Sequence, residues 1–191
     1  MEAAPAGWFE GQLDLDPDAL VFLDETAANT SMVQRYGRAP RGDRCRVAVP
    51  FEHWETTTVT AALCTSGLFA TALLDGATND ARFRAYVVET LAPSLRQGDT
   101  VILDNLPAHK VECVREAIEA VGARLLHLPP YSPGRNPIEL ALAKLKATLR
   151  SAAKRTVADL WDAIRNAFAT FKPDECRNYL TAAGYDAYDL T

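Results

Sequence analysis

Residues 19–25 read ALVFLDE and residues 100–105 read TVILDN. These are two short apolar runs, each reaching an aspartate, Asp24 and Asp104. Runs of this length and composition read as buried strands. A carboxylate at the end of a buried strand is costly unless it is solvated at a sheet edge, paired, or bound to a metal. If the two strands lie side by side and parallel, both carboxylates emerge at one carboxyl edge, where open α/β sheets build their sites. Each Asp could equally cap the turn that follows it, so the pair alone leaves both readings open.

Working outward, residues 45–50 (CRVAVP), 56–65 (TTTVTAALCT) and 67–75 (GLFATALLD) are rich in Val, Thr and Leu and broken by Gly or Pro. They read as strands that, with the first run, form an antiparallel set. Asn79 or Asp80 can cap a helix carrying Phe83, Tyr86, Val87 and Leu91, which stops near Pro93. A helix through Val111, Val114, Ile118 and Val121 ends at Gly122, and ARLLHL (123–128) is a further strand. The loop PPYSPGRNP (129–137) places Pro137 in the first turn of a helix with the apolar stripe Ile138, Leu142, Leu145 and Leu149. Thr156 caps another amphipathic helix through Phe168, and residues 174–182 read as helical too. The order predicts an α/β fold: a mixed sheet of three antiparallel strands, then alternating parallel strands, flanked by helices.

The chain has 191 residues, 48% of them hydrophobic and 24% charged, a globular composition with room for one well-buried domain. Its formal charge of −5 argues at first sight against nucleic acid. Seven acids and no Lys or Arg lie in residues 1–25, however, and the remainder carries about +2, so the whole-chain sign is a poor guide to partners. Residues 1–18 read as an irregular acidic leader, with Trp8 and Phe9 as anchors onto a body spanning 19–191. No apolar run is long enough for a membrane helix and no signal peptide is legible, which predicts a cytoplasmic protein. The four cysteines form no CxxC pair and are expected to be reduced and mostly buried.

A third acid sharpens the reading of the two aspartates. Glu139 falls in the first turn of the helix that Pro137 opens, where the helix dipole favours a carboxylate. Brought together with Asp24 and Asp104, it would complete an all-oxygen cluster. Three close carboxylates repel, so without a cation at least one pKa should rise. A set lacking His and Cys selects Mg²⁺ or Mn²⁺ over zinc. Two such ions can clamp an in-line phosphoryl displacement, which is nuclease or strand-transfer chemistry.

The segments FLDET (22–26), LDNLPAHK (103–110) and LPPYSPGRNPIE (128–139), followed by KLK (144–146), together resemble the catalytic domain of DDE transposases, in the bacterial insertion-sequence branch of the mariner superfamily. The 34 residues between Asp104 and Glu139 are a spacing found in that superfamily. The likeness extends over about residues 19–185, including YGRAP (36–40) and Gly184-Tyr185. It departs from the usual pattern at Gly134 and Arg135, near Arg38, and around Leu142. The resemblance implies a ribonuclease H-like fold and a two-metal site of Mg²⁺ or Mn²⁺ on Asp24, Asp104 and Glu139. It also implies cleavage of double-stranded DNA at transposon ends and strand transfer into target DNA. Family members carry a helix-turn-helix region ahead of this domain and mariner-type enzymes act as homodimers. The expectation here is that the helix-turn-helix region is absent from this chain and supplied upstream or separately.

Residues 140–158 hold Lys144, Lys146, Arg150, Lys154 and Arg155 and no acid. Glu139, Ala143, Lys146 and Arg150 follow one helix face, so the metal edge would run into a basic stripe suited to phosphates; a solvated face is the plain alternative. Arg35, Arg38, Arg41, Arg44 and Arg46, offset by Asp43, form a second basic set after the first strand. Asn105 would orient Asp104, and His109, where the family commonly has a His, would orient Asp104 or a phosphate. Glu25 should point to the opposite strand face from Asp24, and Tyr131 and Trp161 read as packing residues. The competing function is a transposase-derived DNA- or protein-binding domain that no longer transposes. A phospho-acceptor switch domain also uses Asp-tipped strands and Mg²⁺, but the strand-rich segment 45–75 contradicts its even β/α alternation.

Overall fold

The run that opens at Leu20 does not stop at its first acid. In the computed structural model, which describes residues 15–34, 36–46, 53–104, 112–130 and 132–185, strand β1 spans Leu20–Asn29. It pairs antiparallel with β2 (Thr56–Cys64), in register from Phe22 opposite Leu63 to Asn29 opposite Thr56. The sequence expectation of a strand ending at Asp24 is therefore corrected. The second half of β1 has lost its apolar run, but β2 continues to supply hydrogen-bond partners, and ladder pairing rather than hydropathy decides where a strand ends.

Strand β3 (Gly67–Asp75) returns antiparallel to β2. A register shift falls opposite Thr60–Ala62, where Ala70 takes φ 45°. The Tyr86 hydroxyl donates to the Ala70 carbonyl at 2.7 Å and holds this irregularity. Two parallel strands complete the sheet: β4 (Thr100–Leu103) beside β1, and β5 (Arg124–His127) beside β4. The order is β3-β2-β1-β4-β5, the mixed arrangement expected of a ribonuclease H-like fold. Of the expected strand at 45–50, residues 47–50 lie outside the described residues, and Cys45 and Arg46 have no strand structure.

Helices cover both faces. On one, Asn79 Oδ1 accepts from the Arg82 N–H at 3.0 Å and caps α1 (Asp80–Tyr86), which continues as a π turn over Val87–Leu91. Helix α2 (Glu112–Ala120) packs beside it and ends at Gly122, whose φ of 80° admits glycine readily. Phe83, Val87, Leu91, Val114 and Ile118 bury the β1 and β4 residues Val21, Leu23, Val101 and Leu103 there. On the other face lie α3 (Pro137–Ala152), α4 (Val157–Phe168) and α5 (Pro173–Ala182). Ile138, Leu142, Leu145, Leu149, Leu160, Ile164 and Leu180 close over Leu20, Phe22, Val59, Ala61, Leu63 and Ile102. Alternation along β1 thus sends even-numbered residues toward α3 and odd-numbered ones toward α1.

Of the four free cysteines only Cys176 is buried; Cys64 and Cys113 are half-buried and Cys45 is exposed, against the expectation that most would be covered. Cys45 belongs to the Arg-rich stretch between β1 and β2, where Arg38, Arg41, Arg44 and Arg46 are also exposed. Among the described residues, no helix is long and apolar enough to cross a membrane.

Candidate active site

Register brings the two aspartates together. Phe22 of β1 stands opposite Ile102 of β4, and parallel pairing between the two strands stops there. Asp24 and Asp104 each lie two residues further on, hence on the same face as that pair and at the same height along the sheet. Phe22 and Ile102 belong to the core beneath α3, so both acids are on the α3 side. Because β4 ends at Leu103 while β1 runs on, Asp24 stands where β1 emerges past its parallel neighbour. It occupies the end of a pairing rather than the end of a strand.

Glu25, one residue on, belongs to the opposite face. Its Oε1 accepts from Thr60 Oγ1 at 3.2 Å, and its charge, after burial itself, helps to raise the pKa of the Tyr86 hydroxyl beneath α1. Asp24 is held at both carboxylate oxygens. Oδ1 accepts from the Glu25 backbone N–H at 2.7 Å, and Oδ2 accepts from Asn136 Nδ2 at 3.3 Å.

The third acid is delivered by the start of α3. Pro137 and Ile138 are buried against the sheet, and Glu139 follows in the first turn, on the exposed side. The turn before it is anchored by Tyr185, whose ring meets Phe22 edge-on at 4.7 Å between centroids and whose hydroxyl donates to the Arg135 carbonyl at 3.0 Å. The carboxyl of Glu139 is pushed above the ordinary carboxylate range, first by partial burial and then by the charge of Asp104, with Lys146 acting in the opposite direction. Asp104 and Glu139 therefore share one electrostatic neighbourhood, and the like-charge repulsion expected of clustered carboxylates is present.

Among the described residues, no three His, Cys, Asp or Glu side chains are already gathered tightly enough to hold an ion. The acids share an edge without forming a closed cage. Their chemistry nevertheless suits a hard divalent cation: the donors are all carboxylate oxygens, and a cation beside Asp104 and Glu139 would offset both the burial of the Glu139 charge and its repulsion by Asp104.

The basic residues divide. Lys146 lies close enough to Glu139 to lower its pKa, and Arg150 follows on the same helix face. Lys144 instead points to α5, where Nζ is 2.6 Å from Glu175 Oε2 and 4.4 Å from the centroid of the Phe171 ring. Arg155 donates to the Thr30 and Met32 carbonyls, each at 2.9 Å, and ties the end of α3 to the exit of β1. Lys154 and Arg38 are exposed. Trp161 packs, its Nε1 donating to Thr57 Oγ1 at 2.9 Å. Arg35, Asn105, His109, Tyr131, Trp8 and Phe9 lie outside the described residues. Sequence reasoning missed Asn136, because an Asn before a helix-opening Pro reads as an ordinary cap. Its burial was the signal, and burial is not written in the sequence.

A five-stranded mixed sheet with helices on both faces and acids at the carboxyl edge of its parallel strands defines a ribonuclease H-like α/β protein. More particularly, a profile described as DDE superfamily endonuclease matches residues 19–160, and the chain belongs to that family. A comparison with curated protein sequences finds no match. Among solved structures, the chain is similar to the Mos1 transposase paired-end complex with left transposon end, at 20% identity and a TM-score of 0.65, covering 88% of this chain and 52% of that one. It is similar also to the Mos1 mariner paired-end complex with Mn (22% identity, TM-score 0.66, 87% and 52% covered). A third match is the catalytic domain of Mos1 mariner transposase (19%, TM-score 0.59, 87% and 76%). At these identities the likeness is one of fold. The chain spans about half the length of the transposase chains in the two paired-end complexes.

Proposed function

We propose that this chain is the catalytic domain of a transposase that cuts DNA at transposon ends and transfers the freed strands into target DNA. In this reading Asp24, Asp104 and Glu139 are its catalytic acids. The observation that carries it is the shared register of Asp24 and Asp104 on the α3 face, with Glu139 close enough to Asp104 for its pKa to respond. Membership of an endonuclease family supports it. So do the solved relatives, described as a paired-end complex with a transposon end, a strand transfer complex, and complexes with Mn or Mg.

Asp24, Asp104 and Glu139 would hold two Mg²⁺ or Mn²⁺ ions, which supply an activated water or hydroxyl and stabilise the leaving oxygen of an in-line displacement. The protein's own part is placement. The sheet fixes the two aspartates at one height, the buried Pro137–Ile138 pair fixes the start of α3, and the charged edge lies next to Lys146. Lys146, Arg150 and Lys154, with Arg38 and Arg35 of the second basic set, are assigned to DNA phosphates. Lys144 of α3 and Arg155, beyond the end of that helix, belong to the same basic run of sequence while serving internal contacts. Asn105 and His109 keep the supporting roles beside Asp104 that the resemblance implies. In this reading residues 1–18 are an acidic leader and residues 19–191 the catalytic body, with Leu15 packed on the core and Asp18 accepting from Thr65 Oγ1 at 2.7 Å. Recognition of the transposon end is assigned to a helix-turn-helix region outside these 191 residues, assembly to a homodimer, and action to the cytoplasm at the nucleoid.

The test is Mn²⁺-dependent nicking and strand transfer on oligonucleotides bearing the element's ends, comparing wild type with Asp104→Asn and Glu139→Gln. Each substitution should reduce the rate by at least about 100-fold, the scale of losing a charge-stabilising group at a reacting centre. Wild-type activity that both substitutions leave unchanged rules out the carboxylate mechanism. DNA binding with intact metal affinity but no cleavage favours the transposase-derived binding domain.

A further inference from the structure

Asn136 occupies the N-cap of α3, a position at which an asparagine normally accepts from the backbone N–H groups of the first helical turn. It makes no such bond. Its side chain is turned away from its own helix and across to β1, where Nδ2 donates to Asp24 Oδ2 at 3.3 Å. The residue is only 4% exposed, and its Oδ1 is buried without a hydrogen-bond partner. A buried asparagine that forgoes its cap and leaves half of its amide unsatisfied is poorly explained by stability, since burying polar groups without partners is unfavourable. Departures of this kind concentrate at functional sites.

The main chain of the same residue reaches the other side of the site. The Asn136 carbonyl accepts from the Glu139 N–H at 3.1 Å. One residue thus joins the strand that carries Asp24, through its side chain, to the helical turn that carries Glu139, through its backbone. Together with the Glu25 N–H on Oδ1, the Asn136 amide leaves the Asp24 carboxylate little rotational freedom.

We infer that Asn136 is a positioning residue for the acidic site, holding the Asp24 carboxylate in the orientation that receives a divalent cation and fixing α3 at the distance that brings Glu139 to it. This inference rests on the proposed metal site and deepens it. The role differs from capping, and two substitutions separate them. Asn136→Ala removes both the link to Asp24 and any capping capacity. Asn136→Ser also removes the link, because serine is too short to span to β1, but it restores a strong N-cap to α3.

The measurement is direct Mn²⁺ binding to the full chain, followed by the loss of the free-ion paramagnetic resonance signal, alongside thermal melting without metal. Wild type and Asp24→Asn serve as references. The expected result is that both Asn136 variants bind Mn²⁺ about 10-fold or more weakly, the usual effect of removing a group that orients a ligand, while Asn136→Ser melts within a few degrees of wild type. Affinity equal to wild type in both variants overturns the role of Asn136 and leaves the metal site standing, whatever happens to melting. Absence of Mn²⁺ binding by wild type, or binding by Asp24→Asn equal to wild type, overturns the metal site and this role with it.

Discussion

Glu139 shows how a single side chain reports on its neighbours. Its carboxyl is raised by partial burial and by Asp104, so the folded chain binds that proton more tightly than the unfolded chain does. The stabilising contribution is fully present below the ordinary carboxylate pKa and is lost as pH rises through the raised folded value. At neutral pH the ionised Glu139 therefore opposes folding. Glu139→Gln should melt at or above the wild-type temperature at pH 7 without metal, and the difference should vanish near pH 4. Melting curves at the two pH values check this. The same substitution should abolish any Mn²⁺-dependent rise in melting temperature, which separates a group kept for chemistry from one kept for stability.

Among the elements, α3 is the one that joins site to core. Ile138, Leu142, Leu145 and Leu149 were legible as an apolar stripe, and all four are buried. What the other helix faces do was less legible. Lys144 stands in the basic run that the sequence offers to phosphates, and it is held by Glu175 of α5, which also accepts from the Tyr179 hydroxyl at 2.7 Å. Hydrogen bonds from Lys144 and Tyr179 lower the pKa of Glu175. Its contribution to stability is present above the ordinary carboxylate pKa and is lost as pH falls through the lowered value. Glu175→Gln should cost about 1 kcal/mol at pH 7 in urea unfolding, the scale of a partly exposed ion pair with an added hydrogen bond. That cost should fade as pH falls from the ordinary carboxylate range through the lowered value and the wild-type carboxylate protonates. Charge spacing along α3 could not reveal this pairing, because the partner arrives from a helix more than twenty residues later.

For the whole molecule, if the proposed basic edge beside Glu139 is the DNA track, a chain of net charge −5 should bind DNA weakly and with a steep dependence on salt. Each phosphate contact contributes about 0.9 to the slope of log K against log salt. Replacing Lys146, Arg150 and Lys154 together with alanine should flatten that slope by about 2.7 if all three touch phosphate. Anisotropy titrations of labelled duplex DNA at several salt concentrations check this. An unchanged slope would place the DNA track elsewhere, with the arginines between β1 and β2 as the next surface to mutate.

Apart from the strand expected at 45–50, the sequence by itself determined the order of the described strands and helices, the two Asp-bearing runs, and the entry of Glu139 on a helix opened by Pro137. Those features are local: periodicity, cap residues and turn formers act within a few positions of one another. Only the tertiary structure decided that β1 runs past Asp24 to Asn29, because the partner strand that sustains it begins at Thr56. Only the tertiary structure set Asp24 and Asp104 at one height, since register between parallel strands is fixed by how both faces pack rather than by either strand alone. Asn136 belongs to the same class. Its identity was always visible, but its burial and its reach to Asp24 arise from the packing of α3 on the sheet, which joins residues that no local pattern connects.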